Sequence, residues 1–439
     1  MTSISEGHVQ SEDDLVELRI VDKNIAIRKW IEYTFDSQFL TPTDGWSFTL
    51  GAETFGESLK NSVVPGAKVQ LAVNGVVLST GYIDSVEKHA SKDSGTEWVI
   101  EGRDVMAFAV DGCIDPTLRF KPTMNLSDVL IGALGPFGWS SEGAFAINDE
   151  YDGNVLTAQI RGQKRTKVRV SKRGKVSGGK PLKKYGVDQL RPQNGEGAFR
   201  FAARIAERHG LWIWPSADGE KLIVDRPDNE GIQPEHIKYN LYRREQGSGK
   251  SVANIQSGGA KWDFTDQPTA IIADGAGSGG GTFGYSPIRA RMVNPITGVD
   301  SQGFLLDSVS QAFAKFPTAQ EVVHEGYPKV SAFVPTGINR VLFMHDDESH
   351  TQDQLEGFIR REMSLRLRKA LVGNYVVQGH TQKVDDWSIP WTVGTYVNVD
   401  DDVSDVHEVM WVEGRTLHKN RNGGTFTSLK LIRTNTLEF

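Results

Sequence analysis

The sequence is poor in cysteine: Cys113 is the only one among 439 residues. A single cysteine excludes a disulfide framework within the chain and a zinc cluster built on cysteine. We therefore interpret Cys113 as a buried, unreactive thiol that packs like a small apolar residue.

Long apolar runs and a large charge imbalance are also absent. No stretch approaches the roughly 18 consecutive apolar residues that a membrane-spanning helix requires. The first residues, MTSISEGHVQSEDD, are polar and acidic, unlike a secretory signal. A net charge of −7 argues against wholesale nucleic-acid binding. The sequence predicts a protein that folds in the cytosol and does not bind a membrane.

Recognisable catalytic motifs are missing as well. There is no G-x-S-x-G nucleophile elbow, and nothing selects a Ser/His/Asp set among the ten histidines. A pair of acids for glycoside cleavage is defined by geometry and not by a sequence motif, so a glycosidase site stays open as an alternative. No pair of acids stands out in the sequence. These observations favour a protein that is not an enzyme.

Cofactor and metal motifs are weak. Gly275, Gly277 and Gly280 fit G-x-G-x-x-G, but Pro287 and further glycines make the helix that must follow implausible. Two groups of polar residues could hold a cation. A solvated hairpin turn is the better interpretation of the first group, Asp400, Asp401, Asp402 and Asp405. An ordinary loop is the better interpretation of the second group, His345, Asp346, Asp347 and His350. The sequence predicts no cofactor and no metal.

The sequence does contain a pattern that occurs twice, in residues 65–104 and in residues 393–433. Each copy has a glycine, then three strands separated by a polar turn and a glycine-containing turn. The copies align without a gap at Tyr82 with Trp411, His89 with His418, and Gly95-Thr96 with Gly424-Thr425. We interpret the repeat as two similar β-modules, which suits a scaffold better than an enzyme. The alternative is that any two antiparallel hairpins look alike.

The periodicity of apolar residues changes along the chain. Alternation with Gly, Pro, Asp and Asn turns predicts a β-sandwich or small barrel over the first 120 residues, and Asn74-Gly75 fits a two-residue hairpin turn. Helical spacing predicts helices at 125–138, 196–209 and 352–371, the second ended by Gly210. The predicted strands are 15–21, 28–35, 46–50, 68–73, 76–86, 96–103, 211–214 and 221–224.

An unusually basic tract spans residues 161–191, with Asp188 as its only acid. The alternation TKVRV at 166–170 predicts a short basic ribbon, and Tyr185 alone offers little base stacking for single-stranded nucleic acid. We interpret the tract as a surface that docks an acidic protein partner. The alternatives are a solvated hairpin whose charge prevents edge pairing, and a nucleic-acid contact. The candidate docking residues are Lys164, Arg165, Lys167, Arg169, Lys172, Arg173, Lys175, Lys183 and Lys184.

These features predict a β-rich α+β fold: two antiparallel β-barrel modules, an α+β domain between them, and a long loop-rich insertion. The predicted parts are a tail at 1–13, a first β-barrel module at 14–120, a middle domain at 121–235 with the basic insertion 161–191, and a second β-barrel module at 236–439 split by an insertion around 275–350.

Three stretches carry a family resemblance through their order, since none of them is catalytic. They are residues 98–104 (WVIEGRD) with Val110-Asp111 and Cys113, residues 203–213 (ARIAERHGLWI) with Asp218-Gly219 and 222–224, and residues 390–401 (PWTVGTYVNVDD) with 411–413 and 424–432. In this order they resemble the baseplate hub proteins of contractile-tailed phages, which are related to the hub part of type VI secretion spike proteins. The basic tract and the region around 275–345 depart from that family's pattern.

The resemblance implies a homotrimer that folds in the host cytoplasm and caps the tip-proximal end of the tail tube in the virion. Two tube-like barrels in each of three chains would give six similar units around a DNA channel, which would adapt a six-fold tube to a three-fold spike. The implied partners are the tail tube protein, the central spike protein and other baseplate proteins, without sequence-specific nucleic-acid binding. A carbohydrate- or receptor-binding tail module and a cell-wall hydrolase are the alternatives.

Overall fold

Strands dominate the structure, and the largest sheet contains 14 of them. The structure is a computed structural model that describes residues 14–51, 57–92, 95–121, 124–147, 169–170, 176–177, 191–207, 210–226, 237–245, 251–275, 288–299, 304–323, 340–346, 349, 352–384, 387–421, 424–434 and 436. The predicted tail at 1–13 and most of the basic tract lie outside the described residues. Within the described residues, no helix combines the length and the apolar character needed to cross a membrane.

The first part of the chain forms an antiparallel sheet wrapped around one core. Its elements are β1 (Val16–Ile20), β2 (Ile25–Ile27), β3 (Glu32–Gln38), β4 (Gly45–Gly51), α1 (Glu57–Lys60), β5 (Lys68–Val73), β6 (Val76–Ser91) and β7 (Gly95–Asp104). Their order in the sheet is β3-β4-β7-β6-β5-β1-β2. Phe48, Leu50 and Ile100 are fully buried because alternate residues of a strand face the same side. The predicted two-residue turn is confirmed, since Asn74 and Gly75 have φ of 50° and 85°.

The middle part combines helices with a small sheet. Its elements are α2 (Ala107–Asp111), α3 (Leu126–Leu134), β8 (Phe145–Ile147), β9 (Arg169–Val170), β10 (Val176–Ser177), α4 (Ala198–Glu207), β11 (Trp212–Pro215) and β12 (Leu222–Asp225). The predicted helices are confirmed as α3 and α4. The backbone N–H of Asn125 donates to the Asp128 carboxylate at the start of α3, and Gly210 follows α4 with a φ of 69°. Apolar faces of both helices share one core with β11 and β12.

The remaining residues contribute a second sheet system and the third predicted helix. The elements are β13 (Ile237–Glu245), β14 (Ser251–Ala253), β15 (Ile255–Trp262), β16 (Ala270–Gly275), β17 (Ile288–Val293), α5 (Asp307–Ala314), β18 (Gln320–Val322), β19 (Val341–Asp346), α6 (Gln352–Leu367), β20 (Leu371–Gln378), β21 (Thr381–Val384), β22 (Trp387–Pro390), β23 (Tyr396–Asp401), β24 (Val406–Lys419) and β25 (Thr425–Arg433). The predicted helix ends at Leu367, because Leu371 already starts β20.

The insertion between β15 and β20 carries a sheet of its own, in the order β18-β17-β16-β19. The sequence predicts a loop-rich insertion that begins around residue 275, so residues 270–274 are expected to belong to the second β-barrel module. The structure instead assigns β16 to the inserted sheet. The physical reason is the apolar face of α6, where Leu355, Ile359 and Met363 are fully buried against this sheet. The fold class is confirmed as β-rich α+β, whereas the domain boundaries stay predictions.

Candidate assembly site

The repeat that the sequence shows is also present in the hydrogen-bond register. Tyr82 of β6 faces Arg103 of β7, and the corresponding Trp411 of β24 faces Ile432 of β25. Both long strands also contain a bulge at the same point of the alignment, after Ile83 in β6 and after Val412 in β24. A bulge redirects a strand and raises its twist, so the two copies share their curvature as well as their pairing.

The shared unit extends to five strands. The order β3-β4-β7-β6-β5 in the first module matches β15-β20-β25-β24-β23 in the second. The copies diverge at the next strand, since β1 pairs antiparallel with β5 and β13 pairs parallel with β23. The inserted sheet lies between β15 and β20, where the first module has only the short β3–β4 connection. A connection at the end of a sheet accepts such an insertion because no ladder is interrupted.

The two modules are joined edge to edge inside one chain. The first half of β24 pairs with β23, and residues 414–419 of its second half pair antiparallel with residues 33–38 of β3. Across this junction Thr416 Oγ1 donates to Asp36 Oδ1 over 2.7 Å, and Tyr33 Oη lies 2.6 Å from His380 Nε2. Edge pairing hides backbone groups that would otherwise attract another strand.

Aromatic side chains fill the space behind the junction. The ring of Phe39 lies edge-on to Trp411, with ring centroids 4.8 Å apart, and 5.1 Å from Trp214 of β11. One side chain thereby contacts the second module and the middle domain from the end of β3. Such pairs contribute about 0.5–1.5 kcal/mol beyond their buried area, so this cluster fixes the three parts relative to one another.

A buried charged group lies next to this cluster, around a cavity of about 390 Å³. Arg415 is buried, and its guanidinium donates to the Trp391 carbonyl. Burial lowers the pKa of Arg415 to about 10, and burial together with the charge of Asp104 raises the pKa of Asp44 to about 7. Asp44 and Arg415 both line the cavity, and each affects the pKa of the other through its charge.

Asp104, one of the acids that line this cavity, holds the backbone around it. Asp104 Oδ1 accepts from the Thr43 hydroxyl at 2.6 Å and the Met106 N–H at 2.9 Å, and Oδ2 accepts from the Asp44 N–H at 2.9 Å. Both oxygens are therefore used to shape the turns after β7 and before β4. A general acid or base needs an oxygen that can reach a substrate, and neither oxygen of Asp104 is available for that.

The acidic hairpin turn is only partly solvated. Residues 402–405 form the predicted turn, but Asp401 is fully buried and receives two 2.7 Å hydrogen bonds from Arg243. The interpretation of Asp401 as a solvated turn residue is therefore wrong, because β13 brings a guanidinium beside it. Asp400, Asp402 and His407 place possible ligand atoms within 4.8 Å of one another. His407 was missed in the sequence, although it faces Asp400 across the hairpin.

The other candidate residues are scattered. His345 Nδ1 lies 2.8 Å from Asp274 Oδ1 on neighbouring strands, whereas Asp347, His350, Gly277 and Gly280 lie outside the described residues.

Cys113 is exposed, so its interpretation as a buried thiol is wrong. It forms an isolated bridge with Gly197, and its thiol donates to the Gly195 carbonyl at 3.9 Å.

One candidate docking residue of the basic tract is described. Arg169 lies in β9, which pairs antiparallel with β10 as a short ribbon. The remaining candidates lie outside the described residues: Lys164, Arg165, Lys167, Lys172, Arg173, Lys175, Lys183 and Lys184. The docking role of the tract stays a prediction.

Comparison with known proteins supports the phage-tail assignment. The family model for the N-terminal domain of the Mu phage baseplate assembly protein GpP-like matches residues 16–104, which run from the start of β1 to the end of β7. No curated protein sequence matches the chain.

Two solved structures share the fold over nearly the whole chain. The tail protein from Neisseria meningitidis MC58 has 19% sequence identity and a TM-score of 0.63, covering 97% of this chain and 98% of that one. The 43 kDa tail protein of prophage MuSo2 from Shewanella oneidensis has 15% identity and a TM-score of 0.63, covering 96% and 99%. The predicted resemblance is thereby confirmed: residues 16–104 match the GpP-like family model, and the chain shares its fold with these two phage tail proteins.

Proposed function

We propose that this protein is the structural hub of a contractile-tail baseplate, a homotrimer that adapts the six-fold tail tube to the three-fold central spike. The observation that carries the proposal is the junction between β24 and β3, which joins two copies of one five-strand unit edge to edge. The family match of the first copy to a baseplate assembly protein supports the same assignment.

The geometry of the repeat gives the adaptation a physical basis. If three chains repeat the junction around a ring, six similar units face the tube while the rest of each chain keeps three-fold symmetry. Cyclic symmetry closes such a ring without open-ended growth. The channel would pass DNA, and the work is mechanical adaptation and sealing, which requires no enzymatic chemistry. The protein would reside in the virion with the tail tube protein, the spike protein and other baseplate proteins as its partners.

Light scattering of the purified protein, alone and mixed with tail tube and spike proteins, tests the proposal. We expect a mass of roughly three 48.5 kDa chains, and electron microscopy of labelled particles should place the label between tube and spike. A protein that stays monomeric even with tube and spike proteins would contradict the proposal.

A further inference from the structure

The junction inside the chain has an equivalent that the chain leaves open. Residues 414–419 of β24 correspond to residues 85–90 of β6, because the repeat aligns these strands without a gap. In the described part of the chain, no strand pairs with residues 85–90 on the side away from β7. Glu87, Lys88 and His89 are exposed there.

The strand that corresponds to β3 also has an open side. Phe35 faces Trp46, which faces Gly102, and Ala260 of β15 faces Gly373, which faces Leu431. Gly102 and Leu431 are equivalent, since they face the equivalent Ile83 and Val412. Ala260 therefore corresponds to Phe35. Among the described residues, β15 pairs only with β20, and Trp262 near its end is 41% exposed.

We propose that β6 of one copy pairs antiparallel with β15 of a second copy, in the register that β24 and β3 use within the chain. This contact rests on the proposed trimeric hub and identifies the surfaces that join its chains. Leu417 faces Phe35 in the internal junction, so Lys88 faces Ala260 in the external one. Val86 then faces Trp262, and Glu87 faces Lys261.

The side chains brought together by this register are complementary. Thr416 and Asp36, which share a hydrogen bond in the internal junction, are replaced by Glu87 and Lys261, a pair of opposite charge. Both are largely exposed in the single chain, at 68% and 72%. Among the described residues, Glu87 pairs with the exposed His89 and Lys261 with the half-buried Asp263, each two residues away in the same part of the chain. Val86 would cover part of the exposed Trp262 ring, and directly opposite pairs of these kinds stabilise antiparallel sheets.

The chain protects this edge of β15 while it is unpaired. Ser404 Oγ accepts from the Ala260 N–H at 3.2 Å, and Arg243 Nη1 donates to the Gly258 carbonyl at 3.1 Å. Exchanging these side-chain bonds for backbone bonds of β6 keeps the same groups satisfied. Pairing should start near Trp262, which lies beyond both contacts, and proceed towards Gly258. Side chains that cover an edge in this way reduce uncontrolled strand pairing before assembly.

Disulfide trapping tests the register in the full-length chain carrying Cys113→Ser. Glu87→Cys combined with Lys261→Cys places two thiols directly opposite each other, at a Cα separation that suits a disulfide. Mild oxidation should give covalent species up to a trimer on non-reducing gels. The matched control combines Lys88→Cys with Lys261→Cys, because Lys88 points to the other face of β6 and should not cross-link.

Charge exchange provides a second readout that does not depend on cysteine. Glu87→Lys should raise the dissociation constant of the assembly roughly two- to fivefold, and adding Lys261→Glu should restore it. A trimer that gives no Glu87–Lys261 cross-link, or that cross-links equally through Lys88, would overturn this contact and leave the hub proposal standing. A protein that is monomeric with tube and spike proteins present would instead overturn the hub proposal itself.

Discussion

One buried charge, that of Arg415, lies at a cavity where several parts of the molecule meet. Arg415 lies in the run WVEGRTLHK, which gives it the appearance of an ordinary strand residue. Arg415 lies two residues before Leu417 in β24, so its side chain points inward on the same face as that buried leucine. A charged residue where strand alternation predicts an inward side chain is the signal in the sequence that Arg415 is buried. The identity of its surroundings, Trp391 and Asp44, depends on chain segments that come together only in the fold.

The ionisation of Asp44 gives a pH dependence with a definite sign. Its pKa is raised to about 7 by burial and by Asp104, from 3.8 in the unfolded chain. Between these values the unfolded state binds fewer protons than the folded state, so stability falls as pH rises through this window. We expect the unfolding free energy of the wild type, relative to Asp44→Asn, to fall by about 1–3 kcal/mol from pH 4 to pH 8. This range is smaller than the free energy that the full pKa shift would give, because Asp44 lies at a cavity and its charge is partly screened there.

Urea unfolding of both proteins across this range measures the effect. Arg415 keeps its charge throughout, because its pKa is about 10, so Arg415 itself adds no titration of its own between pH 4 and pH 8. A difference between the two proteins that stays flat from pH 4 to pH 8 would show that Asp44 is ionised normally in the fold.

At the scale of elements, the long strand β6 depends on a close approach to β7. A Cβ atom added at Gly81 would lie 2.0 Å from the Arg103 carbonyl oxygen, although the φ of Gly81 is not in the left-handed region. Met410 occupies the equivalent position in β24, facing Arg433. The second module therefore does not require a glycine there, and the need for Gly81 arises from the local curvature of the first module.

Gly81→Ala should destabilise the protein by about 2–4 kcal/mol, because the β6–β7 ladder must open to admit the methyl group. Gly45→Ala is the matched control, since Gly45 pairs with Arg103 from the other side of β7 and has open space around its Cβ position. We expect the control to change stability by less than about 1 kcal/mol in the same urea experiment. Equal effects of the two changes would contradict the steric explanation.

Elements with strong local signals were predicted well. The Asn74-Gly75 turn, the helices α3 and α4 with the Gly210 cap of α4, and the strands of the first module other than β2 follow from periodicity and turn residues within a short window. The strand β2 and the inserted sheet were missed. Strands as short as β2 and β18 carry too few residues to show an alternation, and the tertiary contacts of α6 decide where β16 belongs.

At the scale of the whole molecule, the basic tract should control assembly with an acidic partner. Reversing the charge of Lys164, Arg165, Lys172 and Arg173 together should weaken docking, with the loss largest at low salt, because salt screens exposed charges over about 10 Å at 0.1 M. Pull-down of baseplate partners over a salt series measures the effect. Substituting four serines or glycines of the same tract with glutamine, which leaves its charge unchanged, serves as the control. Docking that is unchanged by the charge reversal would favour the interpretation of the basic tract as a solvated hairpin.

The proposed assembly rests on which sheet edges are paired within the chain. Within the chain, β24 covers β3, and the open sides of β6 and β15 are the equivalent surfaces. A single kind of contact would be used once inside each chain and once between chains. Two copies of the module in each chain would then be what allows the chains to close into a ring. In the proposed assembly, the duplication is a functional feature of the molecule and not only a trace of its ancestry.

The sequence by itself determined the repeated β-modules, the helices between them and the absence of recognisable catalytic motifs, because periodicity, turn residues and motifs are local properties of the chain. Only the tertiary structure decided which edges meet. Thr416 and Asp36 are 380 residues apart in sequence yet share a hydrogen bond, and nothing local to either residue encodes that choice. Strand partners are selected by the packing of whole sheets around their cores, so the junction, the buried Arg415 and the open edges emerge only when the chain is folded.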